Sequence, residues 1–239
     1  MLRTDPVFVV GCPHSATTLM LAILGAHSAI WPVPYESWAA LSSGKHWQVE
    51  DWDTAAKKEG GCRRWCEKTP LHALKIPAIQ KRFPGSPIVA LRRDGRDVVC
   101  SQFARNKEWC KPLNLWIKVN KELDQREGDS VIIIRYEDIV EDFEKEIRRV
   151  CSFIGEDYED DMRNFPGSIH RYCGCSTPSE KPTRFRGKKH LLNRAWQVNQ
   201  PLFDGRGRWK DGLPDKAKKL FDGEGNELLK KYGYLEKEI

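Results

Sequence analysis

The stretch Pro6-Val7-Phe8-Val9-Val10-Gly11-Cys12-Pro13-His14-Ser15-Ala16-Thr17-Thr18-Leu19-Met20 decides the fold. Val7 to Val10 form an uncharged run of β-branched and aromatic residues, the pattern of a strand buried in a parallel sheet. Gly11 breaks the run. Leu19, Met20, Ile23 and Leu24 then recur at helical spacing, so the order is strand, tight turn, helix. Such a turn leaves the N–H groups of a helix's first turn free at the positive end of its dipole, a site for a phosphate or sulfate group.

Working outward, further strands alternate with helices. Arg64 to Thr69, Pro87 to Arg92 and Ser130 to Tyr136 read as strands. Pro70 opens a helix to about Arg82, interrupted at Pro77, and another follows Arg93-Asp94-Gly95-Arg96-Asp97 with Val98, Val99 and Phe103. A helix from about Leu113 to Arg126 puts Trp116, Val119 and Leu123 on one face. From Glu137 to Gly155, Ile139, Phe143, Ile147, Val150, Cys151 and Ile154 share a stripe that Gly155 closes. A last helix runs from about Asp215 to Tyr232, weakened by Gly223 and Gly225. The alternation predicts an α/β fold, a parallel sheet covered on both faces. Gly25 to Trp38 reads as a covering loop and residues 43–61 as a polar surface excursion. Residues 156–212 lose periodicity and are basic from Lys181 to Arg194 and from Arg206 to Lys210. That length is too great for an ordinary connection, so a functional covering segment is expected.

The chain has 239 residues, 40% hydrophobic and 31% charged, which fits one globular domain over residues 1–239. It has no run of eighteen apolar residues, and the first strand starts so near Met1 that a leader has no room; no membrane span and a cytoplasmic location are expected. A net charge of +6 suits an anionic ligand without demanding nucleic acid, and no nucleic-acid motif is present. Cys62/Cys66 and Cys173/Cys175 are close pairs near His170 and His190, but neither has the spacing of a usual structural zinc site, so free thiols and no metal are expected.

A nucleotide-hydrolase loop requires G-x-x-x-x-G-K-[ST], its lysine on the terminal phosphates and its hydroxyl on magnesium. Here Ala16 takes the second glycine position and Thr17 the lysine position. No apolar strand ends in an Asp placed for magnesium. A nucleotide kinase is therefore the alternative enzyme reading, and a non-catalytic nucleotide-binding protein the alternative outside enzymes.

Four segments in order resemble the sulfotransferases that use 3′-phosphoadenosine 5′-phosphosulfate (PAPS), most closely the bacterial and Golgi-type, protein-tyrosine members. Val9 to Leu19 resembles their phosphosulfate loop, Leu91 to Ser101 their 3′-phosphate segment R-D-x-R-D-x-x-x-S, Arg135-Tyr136-Glu137-Asp138 their third strand and helix, and Gly207-Arg208-Trp209-Lys210 a late G-x-W element. Cys66-Glu67-Lys68-Thr69-Pro70 is also typical of such members. The resemblance implies a three-layer, P-loop NTPase-like fold and sulfuryl transfer from PAPS to a carbohydrate, tyrosine or small-molecule hydroxyl.

It also implies site residues. Pro13, His14, Ser15, Ala16, Thr17 and Thr18 would hold the 5′-phosphate through backbone N–H groups and hydroxyls. Arg93 and Ser101 would hold the 3′-phosphate, with Arg96 as a lesser candidate. His14 stands where the family usually has Arg or Lys, so either a protonated His14 or Lys68 supplies the cation at the leaving group. Glu36 is the candidate general base; its plainer role, after Pro34, is at a helix N-terminus. His72, His46 and His27 are alternative bases. Arg208, Trp209 and Lys210 are candidate cofactor contacts from a lid, with Arg184, Arg186 and Arg194 as further basic residues of that segment. Trp31, Trp38, Trp47 and Trp52 are candidates to line an acceptor cleft, or else to pack a lid. A sulfuryl group carries less charge than a phosphoryl group, so positioned cations suffice where a kinase needs a metal.

Overall fold

The structure, a computed structural model, describes residues 5–38, 40–41, 46–58, 62–128, 130–167, 169, 171–172, 175–180 and 188–235. Cys173, His170, Arg184 and Arg186 lie outside the described residues, as do the side chains of His46, Trp47 and His190.

Five parallel strands form the central sheet: β1 (Val7–Gly11), β2 (Ile30–Pro32), β3 (Arg64–Lys68), β4 (Ile88–Arg92) and β5 (Val131–Arg135), in the order β2-β3-β1-β4-β5. Strand periodicity divides the core in two. Phe8, Val10, Trp65, Ile88, Ala90, Val131 and Ile133 face one apolar cluster; Val7, Val9, Cys66, Val89, Leu91 and Ile134 face the other. Helix α1 (Thr17–Gly25) covers the second face; α2 (His46–Lys58), α3 (Ile76–Arg82), α4 (Gly95–Asn106) and α5 (Cys110–Asp124) bury residues against the first. The three-layer α/β, P-loop NTPase-like architecture expected from the sequence is the one observed.

Several local expectations are corrected. Ile30–Pro32, read as loop, is an edge strand, and proline is tolerated there because an edge need not complete a ladder. Within residues 43–61, read as a surface excursion, α2 buries Val49, Trp52, Asp53 and Ala56 at helical spacing under an otherwise polar surface. Trp52 is therefore core rather than cleft lining: it packs on Trp65 at 5.1 Å, and its indole N–H donates to the Tyr35 hydroxyl at 2.8 Å. The segment after Pro70 is a 3-10 turn (Pro70–Lys75) followed by α3, with Pro77 in the first turn, where its missing N–H costs nothing. The expected helix 137–155 is two helices, α6 (Tyr136–Glu141) and α7 (Phe143–Ile154). Asp142 separates them and caps α7 by accepting from the Lys145 N–H, and Gly155 ends it in the left-handed conformation.

The described residues within 156–212 carry more secondary structure than expected. They hold a 3-10 turn (Asp160–Asn164), a small antiparallel pair β6 (Arg171–Tyr172) and β7 (Cys175–Ser176), α8 (Lys188–Gln197) and the single turn α9 (Trp209–Gly212). The expected terminal helix is α10 (Asp215–Lys219) and α11 (Glu224–Lys231), divided around Gly223. The seven described cysteines form no disulfide, and Cys62 and Cys66 are both buried, Cys66 inside β3. Among the described residues no helix is long and apolar enough to cross a membrane.

Candidate active site

Parallel strands all end at one edge of the sheet, and the loops leaving that edge are where an open α/β fold places its ligand. Here β1 ends at Gly11, two residues before Pro13, β3 at the candidate Lys68, β4 at Arg92, next to the candidate Arg93, and β5 at Arg135, next to Tyr136. They open onto a cleft of about 500 Å³ lined by Pro13, His14, Thr17, Thr18, Arg93, Ser101 and others.

The β1 loop is a built anion cradle. His14 and Ala16 both take left-handed backbone angles, φ 73° and 68°, on either side of Ser15, which turns successive N–H groups inward. Ala16 is also the residue before α1, so the free N–H groups of that helix's first turn add to the same concavity. Gly11 starts the turn at φ 151°; a Cβ there would lie 2.6 Å from the Leu91 carbonyl oxygen of β4. The Ser15 side chain is not among the lining groups: its buried hydroxyl has no hydrogen-bond partner.

On the β4 side, Arg93 is fixed over the Tyr136 ring at 4.4 Å, and its guanidinium donates to the carbonyls of Gly205 (2.7 Å) and His14 (3.3 Å), leaving its buried Nε without a partner. Ser101, inside α4, lies 3.0 Å from His14 Nδ1. Arg93, Ser101 and His14 thus come together beside the β1 loop, an arrangement whose donors fit a phosphate. Arg96 turns away: it pairs with Asp94 at 2.7 Å and stacks on Trp209 at 4.1 Å.

On the β3 side, Lys68 is fully buried with its ammonium 2.5 Å from Glu36 Oε1. Burial pushes the Lys68 pKa below the ordinary lysine value, against the opposing pull of Glu36. Neighbouring Glu67 points to the opposite face, as strand alternation requires. It accepts from the Thr69 hydroxyl at 2.5 Å and contacts His72 Nδ1 at 3.1 Å, and Thr69 Oγ1 accepts from the Ser37 N–H at 3.0 Å. This buried knot pins the 36–38 segment so that Glu36 meets Lys68. His72 is committed to it, with Trp38 edge-on at 5.0 Å, and His27 contacts the Asp157 carbonyl at 2.9 Å, far from the cleft edge. Trp38 remains half exposed beside Glu36, whereas Trp31 packs against the core.

The opposite wall comes from residues 194–208, and sequence reasoning missed most of it. Arg194, Trp196 and Gln197 reach the cleft from α8, followed by Gln200, Leu202, Phe203 and Arg208. Arg194 Nη2 lies 3.3 Å from the same Glu36 oxygen that holds Lys68. Two motif residues tie this wall to the sheet. The Tyr136 hydroxyl donates to the Phe203 carbonyl at 2.6 Å and accepts from the Gly205 N–H at 3.0 Å. The Asp97 carboxylate accepts from the N–H groups of Gly207 and Trp209, both at 2.9 Å, and burial raises its pKa above the ordinary carboxylate value. Of the expected lid contacts only Arg208 lines the cleft; Trp209 stacks under Arg96 and Lys210 is exposed.

Known proteins give the same picture. The fold matches the sulfotransferase domain of the Synechococcus PCC 7002 olefin synthase, with a TM-score of 0.65 at 17% identity over 99% of this chain and 98% of that one. It also matches mouse sulfotransferase SULT7A1, solved in complex with PAP, with a TM-score of 0.63 at 16% identity over 96% and 88% of the two chains. A curated relative, a putative protein-tyrosine sulfotransferase from Caenorhabditis briggsae, is 27% identical over 188 residues, 65% of this chain and 67% of the relative. The family model described as the Sulfotransferase family matches residues 6–53 and 44–160, a span holding the β1 loop, the Glu36–Lys68 pair and the Arg93/Ser101 pair. The chain belongs to the sulfotransferase family.

Proposed function

We propose that the protein transfers a sulfuryl group from PAPS to an acceptor hydroxyl, with Glu36 as general base. The observation that carries this reading is a division about β1: the β1 loop, Arg93 and Ser101 line one cleft, and the Glu36–Lys68 pair lies on the other side of β1, joined to that cleft through Arg194. A donor with phosphates at both ends of an adenosine fits that division, and about 500 Å³ is an ordinary volume for such a ligand. The PAP-bound mouse structure supports the same donor.

Arg93 and Ser101 hold the 3′-phosphate, while the Pro13–Thr18 turn and the Thr17 and Thr18 hydroxyls hold the 5′-phosphate. His14 joins the two sites. In the transfer, the acceptor oxygen forms its bond to sulfur as the bond from sulfur to the phosphate oxygen breaks. Glu36 takes the acceptor proton, and the electron pair stays on the phosphate, beside Lys68. No metal is assigned a part. The name of the nematode relative makes a phenolic hydroxyl the first acceptor to try, before carbohydrates and small alcohols.

The test is transfer of labelled sulfate from PAPS, with EDTA present, across those acceptor classes. Transfer that disappears in Glu36→Gln, with PAP still stabilising the variant, is the expected result. Unchanged turnover in Glu36→Gln removes Glu36 as the base, and phosphoryl transfer from magnesium ATP in place of sulfate transfer overturns the reading.

A further inference from the structure

We infer that Arg194, on α8, is a catalytic residue that adds a second positive charge, beside that of Lys68, at the sulfuryl-transfer end of the cleft. This rests on the sulfotransfer reading above. The strand order separates the two ends: β3, with Lys68, lies on one side of β1, and β4, with Arg93, on the other. The basic residue of the β1 loop itself, His14, is engaged on the β4 side, with its Nδ1 3.0 Å from Ser101 Oγ and its carbonyl accepting from Arg93 at 3.3 Å. The β3 side draws its charge from elsewhere. Glu36 Oε1 is bridged by two cations, Lys68 Nζ at 2.5 Å and Arg194 Nη2 at 3.3 Å. Lys68 is completely buried, whereas the Arg194 side chain is 24% exposed and lines the cleft beside Thr17, Thr18 and Pro70.

The position of Arg194 is set by its neighbours. Asn193 and Ala195 on either side are fully buried, as is Val198 one turn on, so α8 is fixed with Arg194 and Gln197 turned to the cleft. Glu36 is the counterion of both cations. When the acceptor hydroxyl engages Glu36, the guanidinium is left facing the transferred group and the phosphate oxygen that leaves it, where charge accumulates. A planar guanidinium with several fixed N–H donors suits a group of oxygens around one sulfur better than a single ammonium does.

The rival role for Arg194 acts only through Glu36, keeping its carboxylate ionised, and the two roles separate in a pH profile. Among the described residues, Lys68 and Arg194 are the charged groups paired with Glu36, and the profile is read with both in place and with Arg194 replaced. Arg194→Met is expected to lower kcat by about 10²-fold or more across the whole pH range, with PAP-induced stabilisation retained and Arg194→Lys recovering part of the rate. If the Arg194→Met rate instead returns to the wild-type value at higher pH, Arg194 acts through Glu36 and the assignment is overturned; an unchanged kcat overturns it as well. Retained PAP stabilisation shows that the variant is folded. A wild-type protein that transfers sulfate beside an unaffected Arg194→Met overturns only this assignment, whereas a wild type that transfers none overturns the sulfotransfer reading with it.

Discussion

The two walls of the cleft are built in different ways. One is set by the ends of β1, β3 and β4, where Gly11, Lys68 and Arg92 are the last strand residues and the loops that follow β1 and β4 line the cleft. The other, residues 194–208, has no strand beneath it and is held by side chains of the first wall, Tyr136 and Asp97, bonded to its backbone. The sheet wall carries paired charges fixed by burial. The α8 wall carries Arg194, Arg208 and apolar surface such as Phe203, which is 58% exposed. Chemistry placed on a rigid scaffold and covered by a tethered segment is the division expected where a ligand must enter, react and leave.

The largest effects are expected from breaking the sheet wall. Lys68→Met lowers kcat by about 10²–10³-fold through loss of charge beside the leaving group. Its melting temperature at neutral pH stays equal to or above that of wild type, because the substitution removes the desolvation cost of a buried ammonium. The pH dependence follows from the sign of the shift. Burial lowers the folded-state pKa of Lys68 below 10.5, so between that lowered value and 10.5 the unfolded chain binds more protons and stability rises with pH. The advantage of Lys68→Met over wild type therefore shrinks as pH climbs through that window in a series of thermal melts. The alkaline limb of the wild-type rate likewise falls below pH 10.5, and Lys68→Arg moves it upward.

Arg93→Ala comes next. It removes two carbonyl ties and, on the proposed function, a charge-assisted contact to the 3′-phosphate, and calorimetry should show PAP affinity lower by about 10–100-fold.

Loosening the second wall without touching the first has a smaller effect. Tyr136→Phe removes the hydroxyl that holds Phe203 and Gly205, and is expected to weaken PAP about 5–10-fold, the equivalent of one or two neutral hydrogen bonds. Limited proteolysis should then cut within 200–209 sooner than in wild type. Resistance equal to wild type would mean that the tether is dispensable.

The smallest effect belongs to the β1 loop. Ala16 holds φ 68°, which costs a residue with a Cβ about 1–2 kcal/mol and glycine little, offset in part by the greater unfolded-state entropy of glycine. Ala16→Gly is expected to raise the melting temperature by about 1–3 °C.

The same contrast explains what was legible in the sequence. The sheet wall was readable because β1, β4 and β5 are largely apolar runs and most site residues sit within a few positions of a strand end, as with Val7–Gly11 and the loop through Thr18. Of the second wall only a covering segment with Arg194 and Arg208 among its basic residues was expected; its helix and its other contacts were not readable, for a physical reason. The buried positions of α8 include Asn193 and Ala195, polar or small, so no apolar stripe marks the helix, and the partner of Arg194, Glu36, lies at the far end of the chain. Helix α2 escaped similarly, with Val49, Trp52 and Ala56 as the apolar stripe among its described side chains. Asp97 stood inside a segment read as 3′-phosphate-binding and Tyr136 inside one read as a strand-to-helix junction. Their roles as tethers depend on backbone N–H and carbonyl groups of 203–209, which no side-chain pattern announces.

The central claim is that one cleft holds two separate phosphate groups without magnesium. Thermal denaturation in EDTA, with PAP compared against adenosine 5′-phosphate, tests it most directly. At PAP concentrations about 100-fold above its Kd, stabilisation of about 2.7 kcal/mol, or about 5–10 °C, is expected. Adenosine 5′-phosphate at the same concentration should give much less, and Arg93→Ala should erase most of the difference between the two. Equal stabilisation by both nucleotides, or stabilisation only by ATP with magnesium, would contradict the account.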